Sequence, residues 1–142
     1  MKRLLLMMVV TVFAFQVNAQ NMPGSKVPKE AKMAFEKAHP AVKNVTWESE
    51  RGNFEANWRV AGFDHSELYT RKGVFAGSEI DINPSQLPVS VNEYMLKHYR
   101  IKAKEASVNE DTNHVKTYEV DAKGKAYIFD SNGKFLKVGE DD

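Results

Sequence analysis

The 142-residue chain contains no cysteine, no second long apolar run after its N-terminal one, and no excess of either charge. Without cysteine, the folded chain has no disulfide and must be stabilised by packing. A balance of 20 Lys and Arg against 19 Asp and Glu provides no electrostatic footprint for nucleic acid or for an anionic membrane. These absences exclude a disulfide scaffold and argue against a nucleic-acid partner.

The N-terminus has the three parts of a secretory signal peptide. Lys2 and Arg3 are followed by the apolar segment 4–15 and by the small-residue cleavage motif Val17–Ala19. We therefore expect cleavage after Ala19, and a mature chain that is periplasmic or secreted. No cysteine follows the apolar run, which excludes lipidation there. Loss of two basic residues leaves 18 against 19 acidic ones, so the formal charge falls from +1 to −1.

The chain repeats itself at a spacing of about sixty residues. Ser25–Pro28 returns as Ser85–Pro88, and Gly73–Phe75 returns as Gly133–Phe135. Between these motifs, an apolar stripe of helical period occurs in both halves: Ala31, Ala34, Phe35 and Ala38, then Val91, Tyr94, Met95 and His98. This pattern predicts a tandem duplication.

The periodicity predicts one helix and three or four strands in each repeat. The helices are expected at 28–39 and 88–99, where a proline suits the first turn. Alternation of apolar and polar residues predicts strands at 44–50, 54–61, 66–70, 74–82, 102–109, 116–121, 125–130 and 135–138. Short connections favour an antiparallel meander, with both helices on one face of the sheet. We expect a flexible leader, 20–26, and a single α+β domain, 27–142, made of repeats 27–82 and 87–139.

A set of turn and core residues gives the chain its resemblance to a known family. The set includes Val45-Thr46-Trp47-Glu48, Phe54-Glu55-Ala56, Tyr118-Glu119-Val120 and Phe129–Leu136. With these motifs, residues 27–139 resemble the PepSY-like, beta-lactamase-inhibitor-like proteins exported by Gram-negative bacteria. The resemblance implies the fold of beta-lactamase inhibitory protein, in which a concave sheet face grips a partner protein. The characterised inhibitor has disulfides that this chain lacks, and no inhibitory residue maps onto it.

The sequence contains no motif that predicts catalysis. Neither a Gly-x-Ser-x-Gly elbow nor a Gly-rich phosphate loop occurs. The four histidines, His39, His65, His98 and His114, are too dispersed to predict a metal site. Asp130–Gly133 is interpreted as a hairpin turn, because a calcium loop would need a distal bidentate acid. We therefore predict no enzyme activity, no cofactor and no bound metal.

The aromatic residues provide the remaining functional hypothesis. Most are expected to pack in the core, but one face of the sheet is left open and some could form a patch there. The predicted partner-binding residues are Trp47, Trp58, Tyr69, Tyr127 and Phe129. The favoured function is an exported, non-enzymatic module that binds or inhibits an envelope or extracellular protein or peptide through this face. The alternative is an envelope protein that senses a small ligand or a divalent metal.

Overall fold

The computed structural model describes residues 21–140. The predicted signal peptide, residues 1–19, and its cleavage site lie outside this range. Within residues 21–140, no helix has both the length and the apolar character needed to cross a bilayer.

The described chain folds into two helices and nine strands, with short 3₁₀ turns before each helix. Helix α1 is Lys29–Ala38, and helix α2 is Val89–Tyr94, extended by a π-helical turn over Met95–Tyr99. The strands are β1 Asn21–Met22, β2 Thr46–Glu50, β3 Asn53–Val60, β4 Phe63–Tyr69, β5 Phe75–Asp81, β6 Glu105–Glu110, β7 Lys116–Asp121, β8 Lys125–Asp130 and β9 Phe135–Glu140.

All nine strands form one antiparallel sheet in the order of the sequence, from β1 to β9. Each helix is followed by four strands, so the order of elements in the first half recurs in the second. The predicted α+β class and antiparallel meander are confirmed. The duplication itself stays a prediction.

Both helices lie on the same face of the sheet. Cross-strand pairing connects Trp58 in β3, through His65, Ile80, Val108 and Tyr118, to Phe129 in β8. Side chains that are paired across neighbouring strands point to the same face, so this row fixes the orientation of the whole sheet. Trp58 is buried beneath α1 and Phe129 beneath α2.

Apolar side chains under the helices form two separate cores. The α1 core comprises Val27, Ala31, Phe35, Trp47, Phe54, Ala56, Trp58 and Tyr69. The α2 core comprises Leu87, Val91, Met95, Ile101, Ala103, Ala106, Val120, Tyr127 and Phe129. Each helix contributes residues spaced by four positions, Ala31 and Phe35 or Val91 and Met95, as the predicted stripes require. Each helix begins one residue after its proline, which serves as the N-cap.

The segment predicted as a flexible leader is attached to the sheet. Asn21 and Met22 pair with Glu48 and Trp47 of β2. Met22 packs against the α1 core, and Lys32 Nζ donates a hydrogen bond to the carbonyl of Gly24 at 2.7 Å. The composition of the segment is polar, but the edge of β2 supplies backbone partners that composition does not reveal.

Strand β4 begins at Phe63, three residues before the prediction. The β3–β4 turn consists of Ala61 and Gly62 alone, and both have positive φ, 53° and 90°. Two positive φ values are typical of the type I′ turn, whose twist suits a two-residue hairpin. The turn is therefore shorter than the four residues expected from composition.

Candidate functional site: the open face of the sheet

The five aromatic residues predicted to bind a partner all lie in the cores. Their exposed fractions are low: Trp47 6%, Trp58 7%, Tyr69 3%, Tyr127 5% and Phe129 0%. The predicted position on the open face is therefore wrong for each of them. Their strands alternate, and these residues occupy the positions that face the helices, where burial of large apolar surface is most favourable.

The opposite face of the sheet, which we call the open face, is acidic. No described helix packs against it, since both helices lie on the other face. Strands β2–β9 place ten carboxylates and two basic side chains on it, as the pairing registers show. The acids are Glu48, Glu50, Glu55, Asp64, Glu79, Asp81, Glu105, Glu119, Asp121 and Asp130, and the bases are Arg59 and Lys137.

The near-neutral net charge thus conceals a separation of charge within the fold. Arg59 is engaged locally, with Nε 2.9 Å from Asp64 Oδ1 and a guanidinium nitrogen 2.7 Å from the carbonyl of Gly62. Lys137 lies on the edge strand β9. The other basic residues of 21–140 lie on helices, in turns and loops, or on the helix side of the sheet, so the centre of the open face carries negative charge.

The centre of the open face is built by β5, β6 and β7. Asp81 pairs with Ser107, which pairs with Glu119, and Glu79 pairs with Asn109. Asn109 Nδ2 donates to Glu119 Oε2 at 2.7 Å. Ser107 is fully buried in the floor of this group. We call Glu79, Asp81, Ser107, Asn109 and Glu119 the central cluster.

Solved structures with the same architecture come from Bacteroides. A DUF2874 family protein from Bacteroides ovatus ATCC 8483 superposes with a TM-score of 0.69 at 18% identity, covering 85% of this chain and 89% of that one. The chain therefore shares the fold of this Bacteroides ovatus protein. A BLIP-like protein from Bacteroides fragilis NCTC 9343 gives a TM-score of 0.64 at 16% identity, with coverage of 84% and 87%. A predicted periplasmic protein from Bacteroides eggerthii DSM 20697 gives 0.67 at 15% identity, with coverage of 80% and 88%.

These likenesses establish the fold. They therefore support the architecture that the predicted family resemblance implied, which is that of a BLIP-like protein. No protein-family model matches the chain, and no curated protein is recognisably similar to it in sequence. The PepSY-like assignment stays a prediction.

Two carboxylates of the central cluster, Glu79 and Asp81, have raised pKa values. Desolvation by the surrounding sheet raises the pKa of Glu79, and the charges of Asp121, Asp81 and Glu55 raise it further, while a hydrogen bond from Ser107 opposes them. Desolvation and the charge of Asp64 likewise raise the pKa of Asp81. The carboxylates therefore repel one another across the strands, which disfavours their ionised forms.

Glu79 should make the fold less stable as the pH rises. Its pKa is higher in the folded than in the unfolded chain, so the folded state binds more protons and the free energy of unfolding falls through the pH range above the ordinary glutamate pKa. Glu79→Gln should remove this loss of stability. At pH 7 the free energy of unfolding should rise by only about 0.5 kcal/mol, because solvent screens the exposed side chain. Thermal unfolding at pH 4 and pH 7 measures it.

The control for this experiment is Glu36→Gln, which removes one exposed carboxylate from α1. It should not reproduce the pH-dependent difference. An equal gain from both variants would show that net charge matters and the crowding around Glu79 does not.

On the helix side, a polar network borders the α1 core. His39 Nε2 lies 2.9 Å from Glu67 Oε1, and the Tyr69 hydroxyl donates to the other oxygen of that carboxylate. Burial, and then the hydrogen bond and charge of Glu67, raise the pKa of Tyr69. The His39 ring also lies 4.8 Å from that of Trp58. Glu67 and His39 thus anchor the end of α1 to β4.

The other residues that the sequence singled out make contacts that stabilise the fold. Asp130 Oδ1 accepts the backbone N–H groups of Asn132 and Lys134, each at 2.9 Å, so the segment forms the hairpin turn that was predicted. His98 stacks on Tyr94 with ring centroids 4.2 Å apart. Within residues 21–140, no group of three or more histidines and carboxylates is arranged to hold a metal ion.

Sequence reasoning missed the acidic residues of the open face, although a signal was present. Glu55 and Asn57 alternate with the core residues Phe54, Ala56 and Trp58, so the polar face of β3 can be recognised. What the sequence does not contain is the register that aligns Glu79, Asn109 and Glu119 on adjacent strands.

Proposed function

We propose that the protein is an exported, non-enzymatic binding module whose open face recognises a protein or peptide partner. The observation that carries this proposal is the separation of roles in the sheet: one face holds both cores, while the other keeps ionised side chains on strands β2–β9. The predicted signal peptide, the resemblance to exported beta-lactamase-inhibitor-like proteins and the shared fold of a BLIP-like protein support it.

The dimensions of the open face fit a macromolecule. Seven inter-strand spacings of about 4.8 Å separate β2 from β9, a width of about 34 Å, and strands of six residues are about 20 Å long. The resulting footprint of about 700 Å² is close to the roughly 800 Å² that each partner buries in a standard protein interface. A small ligand would leave most of this surface unused.

We propose that the open face arose by tandem duplication of one half. Gly73 and Gly133 occupy equivalent turns, β4–β5 and β8–β9, and both have positive φ. Gly73 lies against α1 and Gly133 against α2, so each half places its glycine on its own helix. Two copies joined through β5 and β6 produce a face twice as wide as one copy would.

Site-specific photo-crosslinking in the native host tests this function. A benzophenone amino acid is placed at Ser66 or at Thr117, both on the open face, and the matched control position is Lys37, which is exposed on α1. We expect discrete crosslinked species from the two sheet positions and none of the same mass from the helix position.

Two results would contradict the proposal. Absence of crosslinks at both Ser66 and Thr117 would indicate that the open face has no partner. The same species formed from Lys37 would indicate that contact is non-specific or involves the helix side.

A further inference from the structure

Resting on the proposed function, we infer that the partner presents a cationic segment, rich in lysine or arginine, to the open face. The reason is charge complementarity: ten carboxylates face two basic side chains on this surface.

The distribution of charge on the open face indicates where the cationic segment binds. Arg59 is already bound to Asp64 and offsets only part of the rise in the pKa of Asp81, and Lys137 is on the outermost strand, so the central cluster keeps an excess of carboxylates. Glu79 and Asp81 lie two residues apart on the same strand and face. Burial is the main cause of their raised pKa values, and the charges of neighbouring carboxylates, Asp121 at Glu79 and Asp64 at Asp81, add a repulsion that a cation would relieve. The cationic segment therefore lies across β5–β7.

Hydrogen bonds in the floor of the cluster are consistent with the same chemistry. Ser107 is fully buried, and its hydroxyl donates to Glu79. Asn109 Nδ2 donates to Glu119 Oε2. Both floor side chains thus turn donors toward carboxylates, and the groups presented to a partner are carboxylate oxygens. Lysine and arginine side chains carry only donors, so they match these acceptors.

An apolar partner fits the surface poorly. Apart from Leu136 at the bulge in the outer strand β9, the large apolar side chains that the described strands present on this face are Leu68 in β4 and Ile128 in β8, and both are half-buried. They lie on opposite sides of the central cluster, so they do not form the contiguous apolar patch that hydrophobic docking requires.

The test uses two labelled ten-residue peptides, one alternating Lys with Ser and one alternating Glu with Ser. Ten extended residues span about 34 Å, the width of the open face. Fluorescence anisotropy with the folded chain should show binding of the lysine peptide alone, with affinity falling as NaCl rises from 20 to 150 mM. The triple variant Glu79→Gln, Asp81→Asn, Glu119→Gln should weaken binding about tenfold, because each close charge pair adds to the affinity.

The matched control is Glu30→Gln, Glu36→Gln, Glu93→Gln, which removes the same charge from the two helices. It should change affinity less than twofold. Equal losses from both triple variants, equal binding of the two peptides, or no binding of the lysine peptide at 20 mM NaCl would overturn the inference. Sedimentation of both variants and the wild type is part of the test, since a wild-type dimer that the cluster variant dissociates would show a second copy covering this face and would also overturn it.

Failure here is distinguishable from failure of the proposed function. Crosslinks at Ser66 and Thr117 without lysine-peptide binding would leave the binding module intact and reject only the cationic chemistry of its partner.

Discussion

Phe129→Ala is expected to destabilise the protein by about 3–5 kcal/mol, a large part of the 5–15 kcal/mol that stabilises a typical domain. Phe129 has no exposed surface and lies at the centre of the α2 core. Its ring packs at an edge-to-face angle against Tyr94 and Phe135, with centroids 5.7 Å and 5.6 Å away. Truncation removes this burial and leaves a cavity, because the β8 backbone is held by strands on both sides.

Thermal and urea unfolding measure this effect. A loss of this size should lower the melting temperature by about 10–20 °C. Leu136→Ala is the control, since Leu136 is 51% exposed on the neighbouring strand β9 and should cost less than about 1 kcal/mol. A comparable loss from the two variants would mean that the α2 core does not provide most of the stability of this half.

Gly73→Ala is expected to produce the second large loss. Gly73 has a φ of +74°, and a Cβ there would lie 2.5 Å from the backbone oxygen of Glu30 in α1. The left-handed conformation alone costs a non-glycine residue about 1–2 kcal/mol. The clash adds to this, because the Glu30 carbonyl belongs to a helix and cannot rotate away, so the β4–β5 turn must separate from α1.

Gly124→Ala separates the two contributions. Gly124 has nearly the same φ, +69°, but no atom lies within 4 Å of its Cβ position. It should therefore show the conformational cost alone, and Gly73→Ala should exceed it by at least about 1 kcal/mol in chemical denaturation. Equal losses would indicate that the β4–β5 turn does not depend on close approach to α1.

The sequence predicted the elements well where local physics dominates. Both helices and all eight principal strands were expected, because the periods of 3.6 and 2 appear directly in the residues. The structure differs from these expectations where partners distant in sequence decide it: Met22 reaches β2 and the α1 core, and a two-residue turn places Phe63 in β4.

In the functional hypothesis, too, the local pattern was predicted, and the contacts between distant residues were not. The presence of an open face was expected from composition and connectivity, but the aromatics were assigned to it and are buried instead. A single strand such as β3 shows an apolar and a polar face in its sequence, but only the tertiary packing shows that the helices cover its aromatic side chains. Burial of Trp58 and Phe54 beneath α1 settled this choice, and it placed Glu55 on the open side.

The sequence by itself determined the α+β class, the repeated helix-and-strand order, the reliance on packing and the signals expected of an exported chain. Tertiary structure alone decided which residues share a face and which of them are neighbours. The physical reason is that alternation along one strand is local, whereas register and burial arise from pairing between strands distant in the sequence. Only that pairing concentrates acidic residues from separate strands on one surface of a chain with almost no net charge.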